Sequence, residues 1–362
     1  MNDPIPQSIE HFSRRDRLSF DDLGDLEIGS RLLGRGGGGS TRVGRALADR
    51  AMKEDLVLLD CEALARLGDE SWVIPIGIMG ASNAVLAEFL PNGHEFNTVV
   101  ERLESTTGAR ATAIVSIEVG GVNALIAVAA AASLHLPLMD ADLSGGAVPR
   151  LDQMSNSAWG TSIVPAVLVD GVGRVLTLDE RSGHPLDPCT LERVARSFVG
   201  VCGGWAAIGF RPILRGDATR LLVWGGISRA IELGRAHAKT KKWEQFDPEQ
   251  GSKILAVGQV LALQQPRLGG QPGGWCLIQS LGGELCRLDM QTEYLVFTVD
   301  GRREAAVPDI LVVLDRRSGI ALSTENLRVG LEVVILRLLP ATFPSDSRLQ
   351  HAVGLSGYGL EP

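Results

Sequence analysis

Residues 111–142 read ATAIVSIEVGGVNALIAVAAAASLHLPLMDAD, and their order decides the fold class. ATAIVSIEVGG (111–121) is an apolar run rich in β-branched residues, ending in an acid and two glycines. That is the pattern of a buried strand and its turn. Asn123 to Leu134 is rich in alanine and reads as a helix. LPLMDAD (136–142) is another apolar run, expected to be a single strand ending in two acids. A strand, a helix and a strand in succession make a parallel crossover unit.

The same alternation extends upstream. DLVLLD (55–60) and SWVIPIGIMG (71–80) are buried-strand runs, and residues 95–108 read as a helix. DDLGDLEIGSRLL (21–33) is a short helical pattern leading into glycines. GRGGGGSTRVGRALADRAMKED (34–55) then passes from a glycine loop to an amphipathic helix. Near-continuous apolar strands alternating with helices imply a mostly parallel sheet covered on both faces. Ligands of such sheets lie beyond the carboxyl ends of the strands.

Downstream the pattern changes. Residues 186–210 and 223–245 read as helical with a glycine-rich connection. From Gly251 to Leu339 short strands and turns follow one another, as in an antiparallel barrel or sandwich. Val299-Asp300-Gly301-Arg302 reads as a hairpin turn, because Asp-Gly tolerates positive φ. The expected organisation is a polar arm over 1–20, an α/β domain over 21–184, and a second domain over 185–362. Within the last, 186–245 is helical and about 251–340 is β.

Composition narrows the function. The chain has 362 residues, 45% hydrophobic and 22% charged, which suits a globular protein rather than a disordered one. A net charge of -8 repels phosphate backbones, so no nucleic-acid partner is expected. The most apolar stretch, Ala124 to Met139, is interrupted by Ser133, His135 and Pro137 and is too short to span a bilayer. The N-terminal residues lack an apolar signal core. The expectation is a cytoplasmic protein without a membrane partner. Cys61, Cys189, Cys202, Cys276 and Cys286 form no CxxC pair, so reduced, buried thiols are expected. Six scattered histidines make no HxH or HExxH pattern, so no zinc site is expected. His94 and His184 read as surface residues.

Three motifs carry chemistry. Gly36, Gly37, Gly38 and Gly39 remove side chains, so backbone amides can approach a ligand at the start of a helix. No Gly-Lys-Ser/Thr follows them, so a Walker loop is excluded. The bland reading is a flexible turn. Glu118, at an expected strand end, can move a proton or orient a ligand N–H. Gly80, Gly120 and Gly121 would let a substrate lie on backbone, and Asn123 either contacts it or caps the helix. Asp140 and Asp142, two apart on an expected strand, would point the same way and split their proton affinities, or bind a hard cation. The bland reading is a capped loop with solvated acids. No cofactor is expected, and a divalent metal on Asp140, Asp142 and Glu118 is left open. Alanine- and glycine-rich helices at 123–134 and 223–236 permit a homo-oligomer, or equally packing within the chain.

Taken in order, these motifs resemble a known family. LLGRGGGG (32–39), IGIMGAS (76–82), IEVGGVNALI (117–126) and LPLMDADLSGGAVP (136–149) resemble its first domain. QTEYL (291–295), VPDILVVLD (307–315), LRVGLEVVILRLL (327–339) and VGLSGYG (353–359) resemble its second. This is the S-methyl-thiohydantoin desulfurase-like family, and the resemblance covers roughly residues 20–360. It implies a three-layer α/β N-terminal domain and a C-terminal domain containing a β-barrel. It implies a hydrolytic activity in which water attacks a ring carbon, methanethiol leaves and a hydantoin remains. It further implies a small cyclic amide or thiohydantoin as ligand, and association with hydantoinase/oxoprolinase proteins. A non-catalytic accessory subunit of such a system is the alternative. One of Glu118, Asp140 and Asp142 would be the general base. The chain departs from the usual family pattern at Gly146, where arginine is common, at Ala81-Ser82, and at Arg35, where a small residue is common. These positions flank the expected pocket, so the substrate can differ.

Overall fold

The computed structural model describes residues 15–80, 90–180, 184–265, 273–342 and 347–360. Ala81-Ser82 and most of the N-terminal arm lie outside them. The remainder of that arm is not free. Arg17–Leu18 (β1) pairs antiparallel with Leu56–Leu59 (β2), and Leu18 is fully buried.

The apolar runs become the strands expected of them. Trp72–Gly80 (β3), Ala111–Ser116 (β4) and Leu138–Met139 (β5) join β2 in parallel, in the order β2-β5-β4-β3. β4 stops at Ser116 and not at the glycines, so Glu118 stands in the turn beyond it. The helix Asn123–Leu134 that follows is apolar all round, and Ala124 to Ala131 are buried. A helix without a polar face must be covered on every side. Here β3, β4 and the helix Thr41–Ala51 cover it.

The expected single strand over 136–142 is corrected. β5 ends at Met139, the chain turns at Asp140, and Ala141–Asp142 (β6) leaves the large sheet. The cause is a pair of backbone bonds that pull Asp140 two ways. Its N–H donates to Leu59 at 2.8 Å, and its carbonyl accepts from Gly225 at 2.7 Å.

Past β3 the sheet becomes antiparallel, through Ala166–Val169 (β7), Val175–Leu178 (β8) and Trp205–Gly209 (β9). Ile213–Leu214 (β10) pairs with the start of β3, and Val223–Trp224 (β11) pairs with β6 in a two-stranded ribbon. The helical reading of 186–210 is therefore half corrected. Pro188–Val201 is helical, capped by Asp187, but 205–209 is a central strand with Trp205 fully buried. The large sheet is mixed, parallel over four strands, and it runs across residue 184.

Lys253–Gln264 (β12), Gly274–Ser280 (β13), Leu285–Met290 (β14), Tyr294–Val299 (β15), Arg302–Ala306 (β16), Ile310–Asp315 (β17) and Glu332–Leu338 (β18) make one antiparallel sheet. Its order is β16-β15-β14-β13-β12-β18-β17. β17 packs on β15 and β16, so the sheet curls into a half-barrel. Alternate residues such as Cys286, Leu288 and Met290 point inward. Asp300 and Gly301 take φ of 46° and 79°, as the expected hairpin requires.

The helices Asp22–Leu33 and Gly226–Lys239 cross closely. A Cβ on Gly29 would lie 1.7 Å from Ala230 O, and one on Gly234 would lie 1.9 Å from Asp25 O. The small residues of both glycine- and alanine-rich helices are thus spent inside the chain. Among the described residues no helix is long and apolar enough to cross a membrane. All five cysteines are free; Cys189 is exposed, and the other four are buried as expected. His94 and His184 are exposed.

Candidate active site

A cavity of about 180 Å³ opens where the glycine loop, the end of β3, the turn after β4 and the half-barrel meet. The loop is left-handed along most of its length, with φ of 52° at Arg35, 83° at Gly36, 77° at Gly38 and 76° at Gly39. Such a path points successive amides and carbonyls in opposite senses. The carbonyls are used. Arg35 O accepts from Tyr294 N at 2.7 Å, Gly36 O from Thr324 N at 2.9 Å, and Gly38 O from Val122 N at 2.7 Å. The loop therefore ties both parts of the chain together. Of its amides, Gly37 donates to Gly34 O at 2.7 Å. Those of Gly38 and Gly39 donate to no acceptor among the described residues, and both glycines line the cavity.

Glu118 lines the cavity as well, 7% exposed. Asn123 Nδ2 donates to its Oε1 at 2.7 Å, and Val148 N donates to its Oε2 at 2.9 Å. Asn123 is itself clamped to β3, accepting from Ile78 N at 2.6 Å and donating to Ile78 O at 3.3 Å. Asn123 lines the cavity as expected, and both its amide protons are spent on protein, one of them holding Glu118. Burial, reinforced by the nearby charges of Glu293 and Asp142, pushes the Glu118 carboxyl up to about 8 against those hydrogen bonds.

The half-barrel supplies the opposite wall, with Thr292, Glu293, Ser323 and Thr324. Glu293 is 3% exposed, and burial pushes it up to about 7, opposed by Thr292, Arg35 and Arg196. A Cβ on Gly37 would lie 2.5 Å from Glu293 Oε1, so a side chain there would displace this carboxyl from its place against the loop. At the rim, Arg196 donates to Glu192 Oε1 and Pro149 O, both at 2.6 Å. Glu192 Oε2 accepts from Leu151 N at 3.0 Å. The helix Pro188–Val201 thereby fixes the loop at 149–151.

Residues 21–180 match a family model described as S-Me-THD-like, N-terminal domain, and residues 187–362 match one described as S-Me-THD-like, C-terminal domain. The chain belongs to the S-Me-THD-like family. A crystal structure of a protein from Chromobacterium violaceum shares the fold of this S-Me-THD-like chain. The TM-score is 0.78 at 23% identity, over 95% of this chain and 96% of that one. Among curated proteins none matches.

The S-Me-THD-like fold separates the three acids that the sequence grouped. Glu118 reaches the cavity, but Asp140 and Asp142 are not among its lining residues. Asp140 caps the helix Gly226–Lys239, accepting from Ser228 N at 2.9 Å and Ser228 Oγ at 2.6 Å. Asp142 accepts from Val119 N at 2.6 Å and Gly145 N at 2.9 Å. It holds the turn that carries Glu118, and burial pushes it up to about 7. The expectation that the two share one direction is corrected by the turn at Asp140. Among the described residues no group of three or more His, Cys, Asp or Glu is placed to hold a metal ion. Gly36 to Gly39 and Gly80 line the cavity, whereas Gly120 and Gly121 do not. A Cβ on Gly121 would lie 2.0 Å from Gly38 O, and one on Gly120 2.3 Å from Ala147 N. Those two glycines let backbones cross.

Sequence reasoning missed Glu293, Arg196 and the Ser323–Thr324 wall. Glu293 stood inside QTEYL, a stretch notable only by resemblance. No local periodicity links it to a turn 175 residues away.

Proposed function

We propose that this chain hydrolyses a small cyclic amide of the S-methyl-thiohydantoin type, releasing methanethiol and leaving a hydantoin. The observation that carries the reading is a pair of buried carboxyls, Glu118 and Glu293, lining one cavity, with values near 8 and 7. Burial lifts both carboxyls into the neutral range, Glu118 further than Glu293. Two neighbouring carboxyls lifted to different extents into the neutral range suit one proton donor and one acceptor.

In this mechanism Glu293 takes a proton from water as the water oxygen bonds to the ring carbon bearing sulfur. Glu118 gives its proton to the departing methylthio group as the C–S bond breaks. The remaining hydroxyl proton returns to Glu118 as the ring C=O forms, and Glu293 passes the proton it took from water to the ring nitrogen of the former C=N bond, so the hydantoin gains its N–H and both carboxyls regain their starting states. The amides of Gly38 and Gly39 donate to a ring carbonyl oxygen. Oriented backbone donors need no reorganisation during reaction.

The test incubates the purified protein with S-methyl-thiohydantoins and hydantoins and follows ring absorbance and released thiol, with and without EDTA. Thiol release is expected. Glu118→Gln and Glu293→Gln should each lower kcat/KM by about 10²–10⁴ while the fold persists. A folded protein that releases no thiol across the panel overturns the reading.

A further inference from the structure

Gln291-Thr292-Glu293 alone joins β14 to β15, and this short turn carries one of the two carboxyls that line the cavity. Its backbone is tied to the glycine loop on both sides of Glu293. Tyr294 N donates to Arg35 O at 2.7 Å. On the other side Thr324 Oγ1 donates to Thr292 O at 3.2 Å, and Thr324 N donates to Gly36 O at 2.9 Å. The turn also closes on itself, with Gln291 N donating to Glu293 O at 2.9 Å. These bonds fix where the Glu293 side chain starts. They do not fix which way its carboxyl turns.

One hydroxyl does that. Thr292 Oγ1 donates to Glu293 Oε2, and among the described residues no other side chain donates to this carboxyl. Glu118 differs, with a donor on each of its oxygens. Glu293 Oε1 lies instead against Gly37, a glycine of the cavity wall. Threonine is branched at Cβ and has few rotamers, so its hydroxyl is a stiff donor. A hydroxyl that donates to a carboxylate favours the ionised form and fixes the orientation of the group.

We propose that Thr292 is a positioning residue whose hydroxyl holds Glu293 Oε2 and leaves Oε1 to receive a proton. The part of Glu293 as acceptor rests on the function proposed above; the hold of Thr292 on its carboxyl does not.

Thr292 is exposed, and Thr292→Val keeps its branched shape while removing the donor. Protein labelled with ¹³C at the glutamate carboxyls is titrated, with the Glu293 resonance assigned by its loss in Glu293→Gln. Thr292→Val should raise the Glu293 midpoint by about one pH unit, a tenfold change in proton affinity. Thr292→Ser, which keeps the hydroxyl, should return it towards the wild-type value. The titratable and charged groups around Glu293 are Glu118, Arg35, Arg196 and Tyr358, and both substitutions leave all four in place. If Thr292→Val does not fold, Thr292→Ala removes the same donor. An unchanged midpoint in a folded variant overturns the proposal. So does a lowered one, because the hydroxyl would then be accepting from a protonated Glu293. In an active protein the acid limb of the kcat/KM profile should move up in Thr292→Val and return in Thr292→Ser. A protein that releases no thiol but shows the shift refutes the proposed reaction and not the hold. One that releases thiol without the shift refutes the hold alone.

Discussion

Glu118 sits two residues past β4 with a donor on each carboxyl oxygen, yet burial outweighs both bonds and leaves it near 8 rather than 4.5. The consequence for stability has a definite sign. Between about pH 4.5 and 8 the folded state keeps a proton that the unfolded chain has released. Stability therefore falls as pH rises through that window. The difference amounts to something on the order of 5 kcal/mol for this side chain. Urea unfolding from pH 5 to 8 should show a steeper decline for the wild type than for Glu118→Gln. Parallel curves would mean that Glu118 titrates as an ordinary carboxylate. Asp142 is a different case, because its bonds hold the turn and it does not line the cavity. Asp142→Ala should cost about 1–3 kcal/mol by stranding the buried amides of Val119 and Gly145. Any loss of activity should follow the displacement of Glu118.

At the scale of elements, the Gly120-Gly121 turn was legible as a special backbone, but its use was not. The sequence suggested a surface for substrate, and the structure uses it for a crossing with Gly38. Gly121 has φ of 78° and no space for a Cβ, while Gly160 has φ of 71° and nothing within 4 Å. Substituting alanine at both separates steric exclusion from backbone strain. Gly160→Ala should cost about 1 kcal/mol from strain alone. Gly121→Ala should cost at least about 2 kcal/mol more, by overpacking, and should shift Gly38 in the cavity wall. Equal losses in urea unfolding would show that the crossing tolerates a methyl group.

Across the whole molecule, the helix Gly226–Lys239 links the parts. It packs on Asp22–Leu33, and Arg229 joins Glu249 at 2.6 Å and Leu339 O at 2.6 Å. Gly29→Ala should lower overall stability by about 1–3 kcal/mol, since the methyl meets Ala230 backbone. Gly216→Ala, in a helix with open space around it, should be neutral or stabilise by up to about 1 kcal/mol. The same substitution with two signs would show where the crossing lies. By itself the sequence determined the local elements: apolar runs became strands, the all-apolar run at 123–134 became a buried helix, and Asp300-Gly301 became a hairpin. Those outcomes depend on neighbours a few residues away. Only the tertiary structure decided that Asp140 caps a helix through Ser228, 88 residues distant, and that Glu118 shares its cavity with Glu293. The proton affinity of a carboxyl depends on burial and on the charges around it, and both are set by segments that meet only when the chain has folded.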